Sequence, residues 1–377
     1  MSALRVSGAR DAAGSAVELA VVAGVLTSPD RLPGDAPVLD AAGLTVLPGL
    51  VDLQVNGAGG IDLTAEPERL WEVAALLPAH GTTAFCPTVV TAGERTRAVA
   101  LATLAAGPPP GWTGARPLGL HLEGPMIAPA RKGAHPPQWL VDPDLALVDG
   151  WTRDAGVAIA TVAPELPGAI EVVAELARRG VVVSVGHTEA SAAQVESAAR
   201  AGARMLTHLG NAMPAMGARQ PGPVGAALAH DRLVAGVIAD GHHLDPTTLR
   251  LFWRCLGPDR LLAVSDTTAG LGLPDGPARL GDQHVVVADG TVRLADGTLA
   301  GSVASLLNCV RVLRDTTGCS LAEAVACATT TPAALVGERS LGRLDPGAAG
   351  DLVLVDAALD PVATVVGGRV VHDRRRG

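Results

Sequence analysis

The 377-residue sequence predicts an α/β protein: a (β/α)8 TIM-like barrel with a small β-sandwich domain formed by both chain termini. Three observations predict it. Eight apolar runs of strand length alternate with helix-compatible stretches through the middle of the chain. Both ends are β-rich and carry no helical repeat. The polar residues capable of chemistry collect at the C-terminal ends of the apolar runs, which a closed barrel gathers on one face.

At the N-terminus, AVELAVVAGVL (16–26) and PVLDAAGLTVL (37–47) read as strands separated by turn residues, and DLVLVD (351–356) and VATVVGGRVV (362–371) do the same at the other end. Two β-rich ends that cannot bury both faces alone are expected to pair with each other. Residues 1–46 and 345–377 are therefore assigned to the sandwich and 47–344 to the barrel. The apolar runs fall at 46–55, 82–90, 117–123, 157–163, 181–186, 205–209, 233–239 and 261–265. They are continuous, as in parallel strands covered on both faces. Helix-compatible stretches such as PERLWEVAALLPAHG (67–81) and AIEVVAELARRG (169–180) separate most of them. Eight such units over about 220 residues match the scale of a closed barrel. A doubly wound sheet would carry GxGxxG after its first strand, and NGAGGID (56–62) lacks that spacing. Beyond residue 269, HVVVADGTVRL (284–294) predicts a hairpin around Asp289–Gly290, residues 302–337 read as helical, and 337–351 as a loop returning to the second β unit.

Composition narrows the function classes. With 48% hydrophobic and 18% charged residues the chain is globular, not disordered. Its 38 acidic and 29 basic side chains give a net charge of -9, which argues against nucleic acid as the main partner. No run approaches the roughly 20 apolar residues of a membrane helix, and MSALRVSGARDAAG has no signal-peptide core. The five cysteines, none in CxxC spacing, read as reduced thiols of a cytoplasmic protein. Tyr is absent and Phe occurs only as Phe85 and Phe252, so the core is aliphatic and acid–base chemistry falls to His, Asp, Glu, Lys or Cys.

The strand-end residues are Asp52, Gln54 and Asn56; Thr88; His121 and Glu123; Glu165; His187; His208 and Asn211; Asp240 and His243; and Asp266. A single histidine at a strand end is more often a hydrogen-bonded structural residue than a ligand. Several at converging ends are harder to dismiss. Glu123, His187 and His208 offer one carboxylate and two imidazoles, a donor set that suits a catalytic zinc with an open position. Such a metal lowers the pKa of its water to about 7 and polarises a carbonyl. The competing reading has each residue capping its own strand–loop junction.

LPGLVDLQVNG (47–57), HLEGP (121–125), GHTEA (186–190), THLGNAMP (207–214), ADGHH (239–243) and VSDTTAG (264–270) resemble, in order and spacing, the amidohydrolase superfamily, and within it the N-acetylglucosamine-6-phosphate deacetylases. The resemblance implies metal-dependent removal of the acetyl group from N-acetyl-D-glucosamine 6-phosphate, in amino-sugar catabolism and cell-wall recycling. It implies one divalent metal per subunit, Zn2+ first, with Fe2+, Co2+ or Mn2+ as alternatives, held by Glu123, His187 and His208. Many amidohydrolases carry His-x-His where this chain has Gln54 and Asn56. Amides are weak ligands, so these two mark at most a second-metal or water site. The resemblance makes Asp266 the catalytic acid–base, against its other reading as a helix N-cap, and gives His135 the task of polarising the scissile carbonyl. It places Ala134, Asn211, Ala212, Leu299, Ala300 and Gly301 along the substrate, and Arg219 and His243 on its phosphate. Whether these last two act in cis or across a homodimer interface stays open. Two departures stand out: Gly210 replaces a frequent aromatic residue, and His242 precedes His243. His121 shares a strand face with Glu123 and reads as a partner behind the metal or a weak second-metal ligand. The alternatives are another amidohydrolase, such as a cyclic amidase or deaminase, which usually keeps His-x-His, and a catalytically inactive sugar-phosphate-binding protein, which would have lost a ligand or the base.

Overall fold

The computed structural model describes residues 3–280 and 283–376. Eight parallel strands form the barrel: β1 (Leu50–Val55), β2 (Thr82–Val90), β3 (Leu120–Glu123), β4 (Val157–Val162), β5 (Val182–Val185), β6 (Met205–Leu206), β7 (Val234–Ile238) and β8 (Leu261–Val264). Each pairs with the next in sequence from β1 to β8. Closure comes just beyond β8. Thr267 bridges Val55, the Asn56 N–H donates to the Thr267 carbonyl at 2.7 Å, and the buried Asp52 carboxylate accepts from the Ser265 N–H at 3.2 Å. All six residues of β1 are buried, as the continuous apolar run requires.

Helices follow most strands and pack by their apolar stripes. Ala169–Arg178, after β4, buries Ala169, Val172, Val173 and Leu176, an i, i+3, i+4, i+7 set. The connection from β3 to β4 departs from the expected alternation, because no α-helix occurs in it; residues 124–156 carry only the 3-10 turns Pro129–Arg131 and Pro137–Trp139. Pro125, Pro129, Pro136, Pro137 and Pro143 lack N–H donors and push their predecessors out of helical geometry. This helix-free loop carries His135 to the mouth of the barrel.

Two of the eight apolar runs are interrupted. The run 46–55 breaks at Gly49: Thr45–Pro48 pairs antiparallel with Leu352–Val355, while Leu50 begins β1. A Cβ on Gly49 would stand 2.1 Å from Thr83 Oγ1, so glycine is what lets the chain cross from one sheet to the other. The run 117–123 breaks at Gly119, whose φ of +111° only glycine adopts without strain. Of the terminal stretches, 16–26 divides into Ala16–Val22 and Val25–Thr27, and 37–47 into Val38–Asp40 and Thr45–Pro48.

Both chain ends build one eight-stranded sheet, ordered Arg369–Asp373, Pro361–Val366, Leu352–Val355, Thr45–Pro48, Ala3–Arg10, Ala16–Val22, Val25–Thr27, with Val38–Asp40 beside Ala3–Arg10. It folds over a shared core that includes Leu4, Val6, Val21, Leu39, Leu352 and Val365, forming the small sandwich. Ala3–Arg10, absent from the strands read from sequence, earns its place through alternate burial of Leu4 and Val6. The expected hairpin at Asp289–Gly290 is present, with φ of +51° and +73° at its two turn residues. It belongs to a larger antiparallel sheet of Gly276–Leu280, Gln283–Ala288, Thr291–Arg293 and Leu299–Ser302, tied to the barrel by a Thr267–Ser302 bridge. Helices Leu306–Thr317, Leu321–Ala326 and Thr330–Leu335 occupy the stretch read as helical. Among the described residues no helix is long and apolar enough to cross a membrane.

Candidate metal and catalytic site

β3 ends on Glu123, and its alternation puts His121 on the same side. Glu123 Oε1 accepts from Gln54 Nε2 at 3.0 Å and lies 3.2 Å from His187 Nε2 and 3.0 Å from His208 Nε2. The two imidazole nitrogens stand 3.1 Å apart. His187 Nδ1 donates to the Arg131 carbonyl at 2.8 Å, which turns Nε2 toward Glu123. Burial pushes the Glu123 carboxyl upward, but the hydrogen bonds and charges of His187 and His208 outweigh it and hold the group well below the usual range. Burial likewise works against a charged His208, and Glu123 reverses the balance and raises its pKa. Two nitrogen donors and a carboxylate oxygen converging at such distances, all buried, fit a divalent cation.

His121 is excluded from that set by its own bonds. Its Nδ1 meets the Leu53 carbonyl at 3.1 Å and its Nε2 meets Thr161 Oγ1 at 2.8 Å. Thr161, Thr207 and Ser184 continue this chain through hydroxyl contacts of 2.8 and 2.6 Å, so His121 belongs to a polar floor under the Glu123–His187–His208 cluster.

Asp266 follows β8 at φ +50°. Its Oδ1 accepts from Asn56 Nδ2 at 2.8 Å. Burial, and after it the charge of Glu123, pushes its pKa up to about 6. Gln54 and Asn56 thus act on Glu123 and Asp266 through their amide N–H groups, while Gln54 Oε1 and Asn56 Oδ1 are buried without a protein partner. Seven non-glycine described residues have positive φ, and four of them, His187, His208, Ala212 and Asp266, sit here. Backbone strain of this kind collects where function demands an unusual side-chain direction.

A cavity of about 350 Å3 opens over these groups. Its walls include Asn56, Glu123, Ala134, His135, His187, His208, Asn211, Ala212, His243, Asp266 and Leu299–Gly301. Of the metal, catalytic and substrate residues that the resemblance implies, two are not on these walls. Gln54 is fully buried, bonded to Glu123, and Arg219 is exposed in the loop before Gly222–Ala229. His243 is held by Asp240, whose Oδ2 lies 2.7 Å from its Nδ1, while the exposed His242 is not on the cavity wall. Gly210 has a φ of +90°, is not on the cavity wall, and a Cβ there would meet Leu244 and Phe252. Sequence reasoning missed Arg131, whose carbonyl orients His187 and which lies four residues before His135 in the segment RKGAHPP (131–137). It also missed Thr91, whose Oγ1 lies 2.7 Å from His135 Nδ1. Thr91 lies one residue past the run 82–90 and carries no ionisable group to single it out.

The family model described as "Amidohydrolase family" matches residues 45–371. The chain belongs to the amidohydrolase family. Membership implies a divalent metal, and the Glu/His cluster at the barrel mouth is where donors for one converge. This amidohydrolase is 40% identical to the N-acetylglucosamine-6-phosphate deacetylase of Homo sapiens, over 88% of this chain and 84% of the relative. It is 34% identical to the enzyme of that name from Bacillus subtilis, over 92% and 89%. A mutant N-acetyl-D-glucosamine-6-phosphate deacetylase from Mycobacterium smegmatis, solved in complex with N-acetyl-D-glucosamine-6-phosphate, superposes with a TM-score of 0.86 at 32% identity, covering 98% of each chain.

Proposed function

We propose that this amidohydrolase hydrolyses N-acetyl-D-glucosamine 6-phosphate to D-glucosamine 6-phosphate and acetate, in amino-sugar catabolism and cell-wall recycling. The observation that carries the reading is the meeting of the Glu123–His187–His208 cluster with Asp266 on one cavity wall. Those three residues would hold one divalent ion, Zn2+ first for an N2O set. When bound, the ion lowers the pKa of water and polarises the amide carbonyl. Asp266 takes a proton from the attacking water and delivers it to the nitrogen as the C–N bond breaks. Asn56 holds its Oδ1, and Gly301 lets the Leu299–Ser302 strand pass close behind Asp266, since a Cβ there would lie 2.7 Å from Thr268 Cγ2 and 2.9 Å from the Asp266 carbonyl. His135 faces the scissile carbonyl as a hydrogen-bond donor.

Asn211, Ala212, Ala134 and the Leu299–Gly301 segment line the sugar, and His243 contacts the phosphate. Arg219, exposed and away from its own cavity, fits a role across a homodimer, where it would reach the partner's substrate. The protein is assigned to the cytoplasm, and its chain is divided into a sandwich of 1–46 with 345–377 and a barrel of 47–344, the sandwich strand Thr45–Pro48 running two residues past that boundary. The test is acetate release from N-acetyl-D-glucosamine 6-phosphate with metal analysis of the same sample. Stoichiometric acetate and amine with metal bound are expected; a metal-loaded protein inert on this substrate overturns the reading.

A further inference from the structure

The geometry points to Thr91 as the positioning residue that sets the tautomer of His135, making it a hydrogen-bond donor toward the substrate instead of a further metal ligand. The inference rests on the proposed function for the donor's purpose, but not for the tautomer itself.

His135 is close enough to compete for the metal. Glu123, His135 and His187 offer ligand atoms within 4.8 Å of one another, and the His135 and His187 ring centroids are 4.4 Å apart. A neutral imidazole ligates through a bare nitrogen and donates through the protonated one. What faces Nδ1 therefore decides what Nε2 can do. The Thr91 backbone N–H, a donor with no alternative role, points at His135 Nδ1 at 3.3 Å. Two N–H groups cannot face each other there, so Nδ1 is the bare acceptor and the proton sits on Nε2. The Thr91 hydroxyl strengthens this, at 2.7 Å from Nδ1 against 3.4 Å from its other acceptor, the Glu123 carbonyl. Thr91 and His135 are both buried, which excludes bulk water as a replacement partner.

The fold holds the hydroxyl in place. Thr91 follows Val90, which stands opposite Glu123 in the β2–β3 register, so the residue that orients His135 is anchored beside the ligand carboxylate. A Cβ on Gly124 would lie 2.2 Å from Thr91 Oγ1, so the glycine of HLEGP clears the space the hydroxyl occupies.

The experiment is a long-range 1H–15N correlation spectrum of the zinc-loaded protein labelled at histidine, with His135 assigned through His135→Ala. The expected spectrum shows His135 neutral and protonated at Nε2. In parallel, Thr91→Val is expected to lower kcat about 10- to 100-fold at nearly unchanged KM and metal content, the usual scale for removing an orienting partner. Thr91→Ser should restore most of the rate. In the His135→Ala background Thr91→Val should cost nothing more, because its effect runs through that ring. A wild-type His135 protonated at Nδ1 overturns the proposal, as does a loss in Thr91→Val that persists without His135; a harmless Thr91→Val, which keeps the backbone N–H at Nδ1, overturns the hydroxyl's share of it. If Thr91→Val fails to fold, the wild-type spectrum still decides. If no acetylated amino-sugar phosphate is hydrolysed, the proposed function fails while the spectrum tests Thr91 independently.

Discussion

Replacing Asp266 with asparagine should move activity and stability in opposite directions. The side chain is buried and its Oδ1 accepts from Asn56 Nδ2 at 2.8 Å, a contact that the amide oxygen of the substituted side chain can keep. Geometry is preserved and only the proton acceptor is lost. Turnover should fall by about 100- to 10,000-fold, or about 3–5 kcal/mol of barrier. Stability responds to the carboxyl's burial. Its pKa rises from 3.8 to about 6 on folding in the metal-free protein. The folded state therefore keeps a proton that the unfolded state has released. The stability carried by that proton is full below the unfolded pKa and is lost as pH rises through the folded one. At about 1.4 kcal/mol for each tenfold change, the ionised carboxylate leaves the fold about 3 kcal/mol weaker at neutral pH than the neutral acid does. Asp266→Asn removes that penalty. Urea unfolding of the chelated proteins should show the variant more stable near pH 8 and the gap closing toward pH 4. Acetate release measures the other half. Wild-type turnover, or a variant that is less stable at neutral pH, would refute the reasoning.

Other outcomes follow from the same geometry. Protein purified without chelator should hold about one divalent ion per chain, and Glu123→Gln should lose it, since the charge that binds both histidines is gone; two tightly held ions by metal analysis would contradict the single site. Asn56→Ala removes a hydrogen bond that lowers the Asp266 pKa, so the acid limb of kcat/KM should move to higher pH; an unmoved limb would show that Asn56 does not tune the base. Arg219→Ala should lose about 2–5 kcal/mol on the phosphorylated sugar and little on unphosphorylated N-acetylglucosamine, with metal content intact. Equal losses on both sugars would mean that Arg219 shapes its loop and does not read phosphate.

Much of the site was legible because a parallel barrel turns strand order into spatial order. Glu123, His187, His208 and Asp266 lie at the ends of separate apolar runs, and closure alone brings those ends together. The β-rich termini were legible for a similar reason, since an unpaired sheet face must find a partner. The breaks in that pattern were not. Gly49 reads as one more residue in an apolar run until Thr83 is seen against it. The connection after β3 reads as ordinary loop, and its prolines explain the missing helix only once the strands on either side are in place.

By itself the sequence determined the barrel, the pairing of the two ends and the identity of the groups that gather at the strand ends, because periodicity and burial are properties of short stretches. Tertiary structure alone decided what each group does to its neighbour. Asn56 reaches Asp266 across 210 residues, Gln54 reaches Glu123 across 69, and Thr91 reaches His135 across 44. Each of those contacts fixes a proton or a lone pair, and a hydrogen bond is decided within a few tenths of an ångström. No local pattern encodes such distances; they arise only when the strands close into a ring and bring residues far apart in the chain within reach.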